Sequence, residues 1–107
     1  MVKLLILLRK RADLTDAAFR DYWRDNHAPI VWSLPEIRNY VQFVPGEGSY
    51  PFAAAYSGVA ELWFDDEAAL RTAMSSPEDT AAREDSANFA DIANSIMMVV
   101  REFEPEG

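Results

Sequence analysis

The chain has 107 residues, half of them apolar and 12% aromatic, which is a composition typical of a globular protein. Its net charge of −8 comes from ten basic and eighteen acidic residues, so phosphate backbones and anionic membranes are poor partners for its surface. It has no cysteine, which excludes disulfides, thiolate catalysis and zinc–thiolate sites. We therefore expect one cytoplasmic domain over residues 1–107, with neither nucleic acid nor a membrane as a partner.

The first segments of the chain predict a strand followed by a helix. Residues 2–9 form a short apolar run that ends in charge, which is typical of a buried strand. Thr15 is the expected N-cap of a helix, because apolar residues recur at helical spacing after it. Pro29 cannot donate a backbone hydrogen bond inside a helix. We therefore expect the regular helix to end near His27 or Ala28, and helical turns to resume over residues 31–34.

The rest of the chain alternates strand, loop and helix signals. In chain order it predicts a strand at 38–44, a long loop at 45–57, a strand at 58–64, a helix at 67–75, a short helix from Pro77 and a last strand at 95–103. Asp65 and Asp66 are expected to cap the helix at 67–75, and Ser76 the helix from Pro77. The order β-α-β-β-α-β is the split-βαβ, ferredoxin-like pattern. It predicts an α+β fold in which a four-stranded antiparallel sheet carries its helices on one face.

Both faces of this sheet are apolar in its first and last strands. Residues 4–8 are all Leu or Ile, and residues 96–100 are all Ile, Met or Val. Helices cover only one face, so the other would be a larger apolar patch than soluble monomers usually expose. The simplest cover is a second copy of the same sheet. The sequence therefore predicts a homodimer whose two sheets close into a dimeric α+β barrel with an apolar interior.

The alternation within the middle strands assigns side chains to that interior. In residues 58–64, Glu61 and Trp63 fall on the face opposite the all-apolar set, so we expect them to face the enclosed side. By similar parity, Tyr40 and Gln42 are expected on the same side. A carboxylate in an apolar space is costly unless it is paired. Glu61 is therefore either a functional group or the partner of an arginine, for which Arg38 and Arg101 are the candidates.

Four segments of the chain together resemble a known family. They are FRDYWRDNHAPIV at 19–31, LPEIRNYVQ at 34–42, GVAELWFDD at 58–66 and NFAD at 88–91. Their combination resembles the EthD family of dimeric α+β barrel proteins. That resemblance implies the fold and the homodimer predicted above. The chemistry of the family itself is unassigned, but related barrels include isomerases, polyketide cyclases, lyases and monooxygenases that need no cofactor.

The family resemblance points to His27, the single histidine of the chain, as the position most often proposed as catalytic. Histidine titrates near neutral pH and serves as an acid or a base. In the functional interpretation, His27 removes a proton next to a carbonyl or from a phenol. Glu61 or Asp91 then orients the ring or carries a second proton.

Other side chains are candidates for contact with the substrate. Tyr40 or Gln42 is expected to donate a hydrogen bond to a developing oxyanion. Tyr22, Trp23 and Trp63 are further candidates for substrate binding, because polar tips on aromatic side chains need partners when buried. In the structural alternative, His27 instead packs on the edge of the core and bonds a backbone carbonyl near the proline that follows it.

Three functions remain open from the sequence. The first is a cofactor-independent lyase, isomerase, cyclase or monooxygenase that acts on a small apolar or aromatic carbonyl compound. The second is a non-catalytic protein that binds a small hydrophobic ligand or assists a partner oxygenase. The third is a structural dimer whose barrel is filled by its own side chains. One histidine among scattered carboxylates is no transition-metal site, so we expect neither a metal nor another cofactor.

Overall fold

The computed structural model of the protein describes residues 1–46 and 55–105. Most of the predicted loop at 45–57 therefore lies outside the described residues. The described strands are β1 (Val2–Leu8), β2 (Asn39–Phe43), β3 (Gly58–Phe64) and β4 (Ile96–Val100). The described helical segments are α1 (Asp16–Tyr22), a π-helical turn (Trp23–His27), α2 (Ala28–Trp32), α3 (Glu67–Met74), α4 (Pro77–Ser86) and a 3-10 turn (Ile92–Asn94).

The strands form one antiparallel sheet in the order β2-β3-β1-β4. This arrangement confirms the predicted ferredoxin-like α+β fold, because β1 and β3 lie in the centre and β2 and β4 flank them. The two central strands pair along their full length, from Val2 opposite Phe64 to Leu8 opposite Gly58. The last strand is shorter than predicted and ends at Val100.

The core lies between the sheet and the helices. Its largest fully buried side chains are aromatic: Phe19, Trp23, Phe64 and Phe89. The absence of a side chain at Gly58 makes room for the Trp23 ring, since a Cβ atom there would lie 2.7 Å from that ring. A strand glycine of this kind marks a close approach of neighbouring groups.

Side-chain caps begin three of the helices. Thr15 accepts a hydrogen bond from the Ala18 amide at 3.1 Å, which confirms it as the N-cap of α1. Asp66 caps α3, and Ser76 caps α4 ahead of Pro77, as the sequence predicts. Each cap satisfies an amide that has no partner within its helix.

The regular α-helix ends at Tyr22, earlier than predicted, but the expected break before Pro29 and the helical turns beyond it are observed. Helical turns continue to Trp32, because the backbone widens into a π-helical turn just before the proline. The Ala28 amide bonds the Trp23 carbonyl, five residues back. The wider turn accommodates a residue that has no amide hydrogen and whose ring crowds the preceding turn of a regular helix. His27 therefore lies within a helical segment rather than at its end.

The side of the sheet away from the helices, called here the open face, is mainly apolar. Apart from Lys3, Asn39 and Glu61, its residues by register are Leu5, Leu7, Val41, Phe43, Val59, Trp63, Ile96, Met98 and Val100. Most are half-buried, and Phe43, Ile96 and Met98 are exposed. Within the described part of the chain, no helix has both the length and the apolarity needed to cross a membrane.

The expected placement of Tyr40 and Gln42 on the open face is wrong. Tyr40 pairs with Leu62 and Gln42 pairs with Ala60, so both side chains point towards the helices. The prediction is wrong because β2 is a short edge strand. Its alternation of side chains is too short to fix which face each residue occupies. Glu61, by contrast, lies on the open face as predicted, opposite Leu5 of β1.

Candidate functional site

His27 lies in the helical layer, where the π-helical turn faces α4. The residue is buried, with 7% of its surface exposed, and its ring lies 4.7 Å from the ring of Phe89. Nδ1 of His27 lies 2.8 Å from Oδ2 of Asp85, near the end of α4. π-Helical turns are rare and frequently occur at functional sites. Here the turn presents the imidazole to a carboxylate on another helix.

Asp85 is the centre of a network of four polar side chains, called here the His27 network: Tyr22, His27, Asp85 and Asn88. The Tyr22 hydroxyl donates to Oδ1 of Asp85 at 2.6 Å. The Asn88 amide donates to the same oxygen at 3.2 Å and to the Tyr22 hydroxyl at 3.1 Å. Both carboxylate oxygens of Asp85 therefore have donors, and the residue is held in one orientation.

The His27 network keeps Asp85 ionised and His27 neutral. Burial opposes ionisation of Asp85, but hydrogen bonds from Tyr22, His27 and Asn88 together outweigh it, so the pKa of Asp85 is lowered. Burial lowers the pKa of His27, and this effect exceeds the opposing attraction of Asp85. An ionised carboxylate only accepts hydrogen bonds, so Nδ1 carries the proton of the neutral ring and Nε2 carries the lone pair.

Nε2 of His27 is oriented towards accessible space. Among the described residues, every fully buried side-chain nitrogen and oxygen has a hydrogen-bond partner. Nε2 has no such partner there, and the His27 side chain retains 9% exposure. This nitrogen is therefore the unpaired and partly exposed end of the ring. A fixed imidazole with one free basic nitrogen is the arrangement that general acid–base catalysis requires.

The structure does not bring the other two predicted catalytic residues to His27. Glu61 lies on the open face, where its carboxylate is 3.9 Å from Nζ of Lys3. Its partner is therefore Lys3 and not Arg38, which pairs with Asp65. Asp91 precedes the last strand and accepts a hydrogen bond from Asn94 at 2.8 Å. Any chemical role for Glu61 or Asp91 stays a prediction.

The carboxylate that orients the ring is Asp85, which the sequence analysis did not select. It lies 58 residues from His27 in the chain, within the polar helix α4. Nothing in the local spacing relates the two residues, because the contact arises from packing of α4 against the π-helical turn. The structural alternative, a hydrogen bond from His27 to a backbone carbonyl, is also wrong, because Nδ1 of His27 bonds Asp85 instead.

The predicted substrate-binding residues fall in three different environments. Tyr22 belongs to the His27 network, Trp23 is 1% exposed in the core, and Trp63 lies on the open face under Nζ of Lys3 at 4.8 Å. Gln42 donates to the Trp23 carbonyl at 3.1 Å and to the Tyr40 hydroxyl at 2.8 Å. Their roles in substrate binding stay predictions.

Burial isolates Tyr40 from solvent. It raises the pKa of Tyr40 to about 12, although hydrogen bonds to Gln42 and Trp23 act in the opposite direction. The hydroxyl therefore stays protonated at neutral pH and remains a hydrogen-bond donor. Because it faces the helical layer, any group that it serves lies on the side of the sheet that also carries the His27 network.

Four cavities among the described residues are lined by other side chains and not by His27. Within residues 1–46 and 55–105, no cluster of three or more His, Asp or Glu side chains is arranged to hold a metal ion. The His27 network itself contains one imidazole and one carboxylate, and both oxygens of that carboxylate already accept hydrogen bonds. Its chemistry is therefore that of proton transfer.

Comparison with known proteins places the chain in a family. The family model of the EthD domain matches residues 11–93, which is more than half of the chain. This chain belongs to the EthD family. All four residues of the His27 network lie within the matched range. The family resemblance carried by the sequence motifs is thereby confirmed.

Two relatives are similar over most of the EthD chain. An uncharacterized 11.0 kDa protein from the thcB–thcC intergenic region of Rhodococcus erythropolis is 33% identical over 95 residues, which is 84% of each chain. The crystal structure of an EthD family protein from Bacillus halodurans has a TM-score of 0.80 and 26% identity. That match covers 96% of this chain and 99% of the other.

A third protein shares the fold at low identity. SnoaB, a cofactor-independent oxygenase from Streptomyces nogalater, has a TM-score of 0.63 and 15% identity. The match covers 98% of this chain and 97% of the other. At this identity the likeness is one of fold, so the reaction of SnoaB is a property of that protein.

Proposed function

We propose that this EthD chain is a cofactor-independent enzyme in which His27 is the general acid and base for a small apolar or aromatic carbonyl compound. The observation that carries the proposal is the 2.8 Å contact between His27 and Asp85. That contact assigns the proton to Nδ1 and leaves a basic lone pair on Nε2. The fold shared with a cofactor-independent oxygenase supports a small-molecule enzyme that works without a cofactor.

The proposed reaction is a proton transfer within the substrate. Nε2 of His27 takes a proton from the carbon next to a carbonyl, and the electron pair of that C–H bond passes to the carbonyl oxygen as an enolate. Asp85 stabilises the imidazolium that forms, through the hydrogen bond to Nδ1. The imidazolium then returns the proton to the same or another carbon. The step consumes no oxidant and no cofactor.

The lowered pKa of His27 suits this role. A general base works best when it is unprotonated at the operating pH and its pKa lies close to that pH. Burial keeps His27 neutral at pH 7, while Asp85 limits the decrease of its pKa. The same carboxylate favours the imidazolium once the proton has moved. Asp85 thus acts through the ring and is a positioning residue.

The proposed state of the enzyme is a homodimer formed through the open face. That face is mainly apolar and includes exposed Phe43, Ile96 and Met98. A second copy would remove this surface from water. The polar pair in its centre, Lys3 and Glu61, provides its own charge compensation when covered. Light scattering at micromolar protein is expected to give twice the monomer mass, and a stable monomer would contradict the proposal.

A non-catalytic function has one observation in its favour. His27 lines none of the four cavities, which also suits a protein that only binds a small hydrophobic ligand or assists an oxygenase. The two functions differ in a measurable way. Only the enzyme exchanges substrate protons with solvent at a rate that depends on the His27 imidazole.

Deuterium exchange tests the catalytic role without knowledge of the natural substrate. Small aryl ketones with a C–H bond next to the carbonyl are incubated with the protein in deuterated water, and loss of that C–H signal is followed by NMR. We expect exchange above background with the wild type, and a loss of about 10²–10⁴-fold in His27→Gln. Asp85→Asn is expected to lose a smaller but clear fraction, because its amide can donate to Nδ1 and so place the ring proton on Nε2.

The matched control is Asp65→Asn, which removes an exposed carboxylate from its pair with Arg38. It should exchange like the wild type. Folding of each variant is checked by circular dichroism. Exchange that is unchanged in a folded His27→Gln variant, or that is absent from the wild type for every compound of the panel, would overturn the enzymatic proposal and leave the ligand-binding function.

A further inference from the structure

A cavity of about 420 Å³ lies where α1 meets the chain segments that leave β1 and β2 and enter β3. Its lining is mainly polar or charged at the rim, with aromatic groups beside it: Lys10, Asp16, Phe19, Arg20, Pro45, Gly46, Tyr56 and Ser57. None of these residues belongs to the His27 network. The cavity is therefore a separate place at which a small molecule can bind.

Most basic residues of the chain form ion pairs with described residues, whereas those at this cavity do not. All ten lie in the described part of the chain, and six form ion pairs there: Lys3, Arg11, Arg24, Arg38, Arg71 and Arg83. The other four form none with described residues: Arg9, Lys10, Arg20 and Arg101. Two of these four, Lys10 and Arg20, line the cavity, and Arg9 lies next to the Tyr56 ring. Acidic residues are in large excess, so ion-pair partners are plentiful elsewhere on the surface.

The three cations approach the cavity from two segments. Lys10 follows β1, and its half-buried backbone is fixed by a hydrogen bond from its amide to Oγ of Ser57 at 3.1 Å. Arg20 lies in the last turn of α1. Arg9 does not line the cavity, but its guanidinium lies 5.0 Å from the centre of the Tyr56 ring, which does. Each of these cations is therefore attached to a backbone segment whose position is defined.

Further groups complete a site for an organic anion. The Ser57 oxygen accepts from the Lys10 amide, so its own hydrogen is available to another acceptor. The Tyr56 ring offers an aromatic wall beside the two cations. Asp16 adds one negative charge to the rim, so the charged groups that line the cavity among the described residues sum to a single positive charge. That balance suits a monoanion such as a carboxylate better than a phosphate dianion.

We propose that this cavity binds a small aromatic carboxylate, with Lys10 and Arg20 on the carboxylate and Tyr56 against the ring. Charge-assisted hydrogen bonds from such groups to carboxylates are among the stronger polar contacts in proteins. The site is independent of the proposed enzymatic reaction. Phe19 lies 5.7 Å from Phe89, and Phe89 lies 4.7 Å from His27, so stacked rings separate the cavity from the imidazole.

Titration with benzoate tests the site on the full chain at low salt. Binding is followed by the amide signals of Tyr56 and Ser57 in ¹⁵N NMR, with benzamide as the uncharged analogue of the same shape and inorganic phosphate as the competing anion. We expect benzoate to shift these signals with saturation, and benzamide and phosphate to bind at least about tenfold more weakly. Equal binding of benzamide, or no saturable shift by benzoate at about 10 mM, would overturn the proposal.

Variants separate this site from a general attraction of anions. Arg20→Gln and Lys10→Gln are each expected to weaken benzoate binding by about tenfold. The matched control is Arg24→Gln, four residues further along the same helical segment, whose guanidinium is already paired with Asp25 at 2.8 Å. It should change the affinity by less than about twofold. Equal losses in Arg20→Gln and Arg24→Gln would refute a defined site.

A third variant separates this proposal from the enzymatic one. His27→Gln should leave benzoate binding unchanged while it abolishes proton exchange. If His27→Gln weakens benzoate binding and Arg20→Gln does not, then the carboxylate binds at the His27 network and the cavity proposal is wrong. Failure of the exchange assay alone would leave the cavity proposal intact, because no step of that assay involves Lys10 or Arg20.

Discussion

The two faces of the sheet bury their side chains in different ways. On the helix side, aromatic rings fill the core, and the polar groups that enter it bond one another in the His27 network. On the open face, apolar side chains remain half-exposed around the single pair of Lys3 and Glu61. The helix side is complete within one chain. The open face is complete only if another surface covers it.

This difference indicates where stability and function reside. Because each of the four side chains of the His27 network bonds another member of it, the geometry of the network does not depend on association. The apolar surface of the open face stabilises the protein only when it is buried, as in the proposed homodimer. Substitutions on the helix side should therefore be tested by unfolding experiments. Substitutions on the open face should be tested by measuring association.

The largest effect is expected from opening the core on the helix side. Phe89 is fully buried, and its ring contacts those of Phe19, Tyr22 and His27. Phe89→Ala should lower the free energy of unfolding by about 3–5 kcal/mol, measured by denaturant titration. Phe103→Ala is the control, since Phe103 is 81% exposed and its loss should cost less than about 0.5 kcal/mol. Similar costs for the two variants would contradict the packing described here.

On the open face, a charge should affect association more than folding. Leu7 lies between Val59 and Ile96 in the sheet, away from any charged neighbour. Leu7→Glu should raise the dissociation constant of the proposed dimer by at least about 100-fold, because a desolvated, unpaired carboxylate is costly. Analytical ultracentrifugation measures this change.

The control for that variant is Ala17→Glu on the exposed surface of α1, which should leave association unchanged. If Leu7→Glu sediments as the wild type does, then the open face is not the interface. If Ala17→Glu dissociates the assembly equally, then the effect is one of net charge rather than of the face.

The contact of Gly58 with Trp23 predicts a smaller effect on the helix side. A Cβ atom at residue 58 would lie 2.7 Å from the buried indole, whose neighbours leave it little room to move. Gly58→Ala should destabilise the protein by about 1–3 kcal/mol. Gly46→Ala is a matched control, because no atom lies within 4 Å of the corresponding position. A neutral or stabilising Gly58→Ala would mean that the sheet and helix layer are less tightly packed than described.

The smallest expected effect is the response of the His27 network to pH. The pKa of folded His27 is lowered by burial from its ordinary value near 6.5. As the pH falls below about 6.5, the unfolded chain therefore binds a proton that the folded chain does not, and the free energy of unfolding decreases. Denaturant titrations between about pH 7 and pH 5 should show this decrease. His27→Gln should remove it.

The imidazole can also be observed directly, because the chain has one histidine. Its NMR signal should titrate below pH 6.5 in the wild type, and lower still in Asp85→Asn, which loses the attraction that favours the protonated ring. Asp65→Asn should titrate like the wild type. A His27 signal that titrates above 6.5 would show that attraction by Asp85 outweighs burial, and it would reverse the expected pH dependence of stability.

Sequence reasoning succeeded where the signal is local or strictly periodic. The boundaries predicted for β3, at 58–64, are those observed, because the alternation there is unbroken. The N-caps at Thr15 and Ser76 follow from the hydrogen bonds that their hydroxyls offer to the next turn. Glu61 and Trp63 lie on the predicted face for the same reason of parity.

It failed where contacts join distant segments or where the backbone departs from regular geometry. The side of Tyr40 and Gln42 depends on the register between β2 and β3, which the short alternation of β2 does not fix. Pro29 predicts a break in the regular helix, but the sequence does not show that the break takes the form of a π-helical turn. Asp85 is separated from His27 by most of the chain, and no local pattern connects them.

The sequence by itself determined the order of elements, the family and the presence of apolar surface on both sides of the sheet, because these follow from hydrophobic periodicity and motif residues that any reader of the chain can count. Only the tertiary structure decided which carboxylate holds His27, which lysine pairs with Glu61, and which cations remain around the cavity beside α1. Those partners are set by the packing of α4 and the sheet register, which bring together residues that lie far apart in the chain.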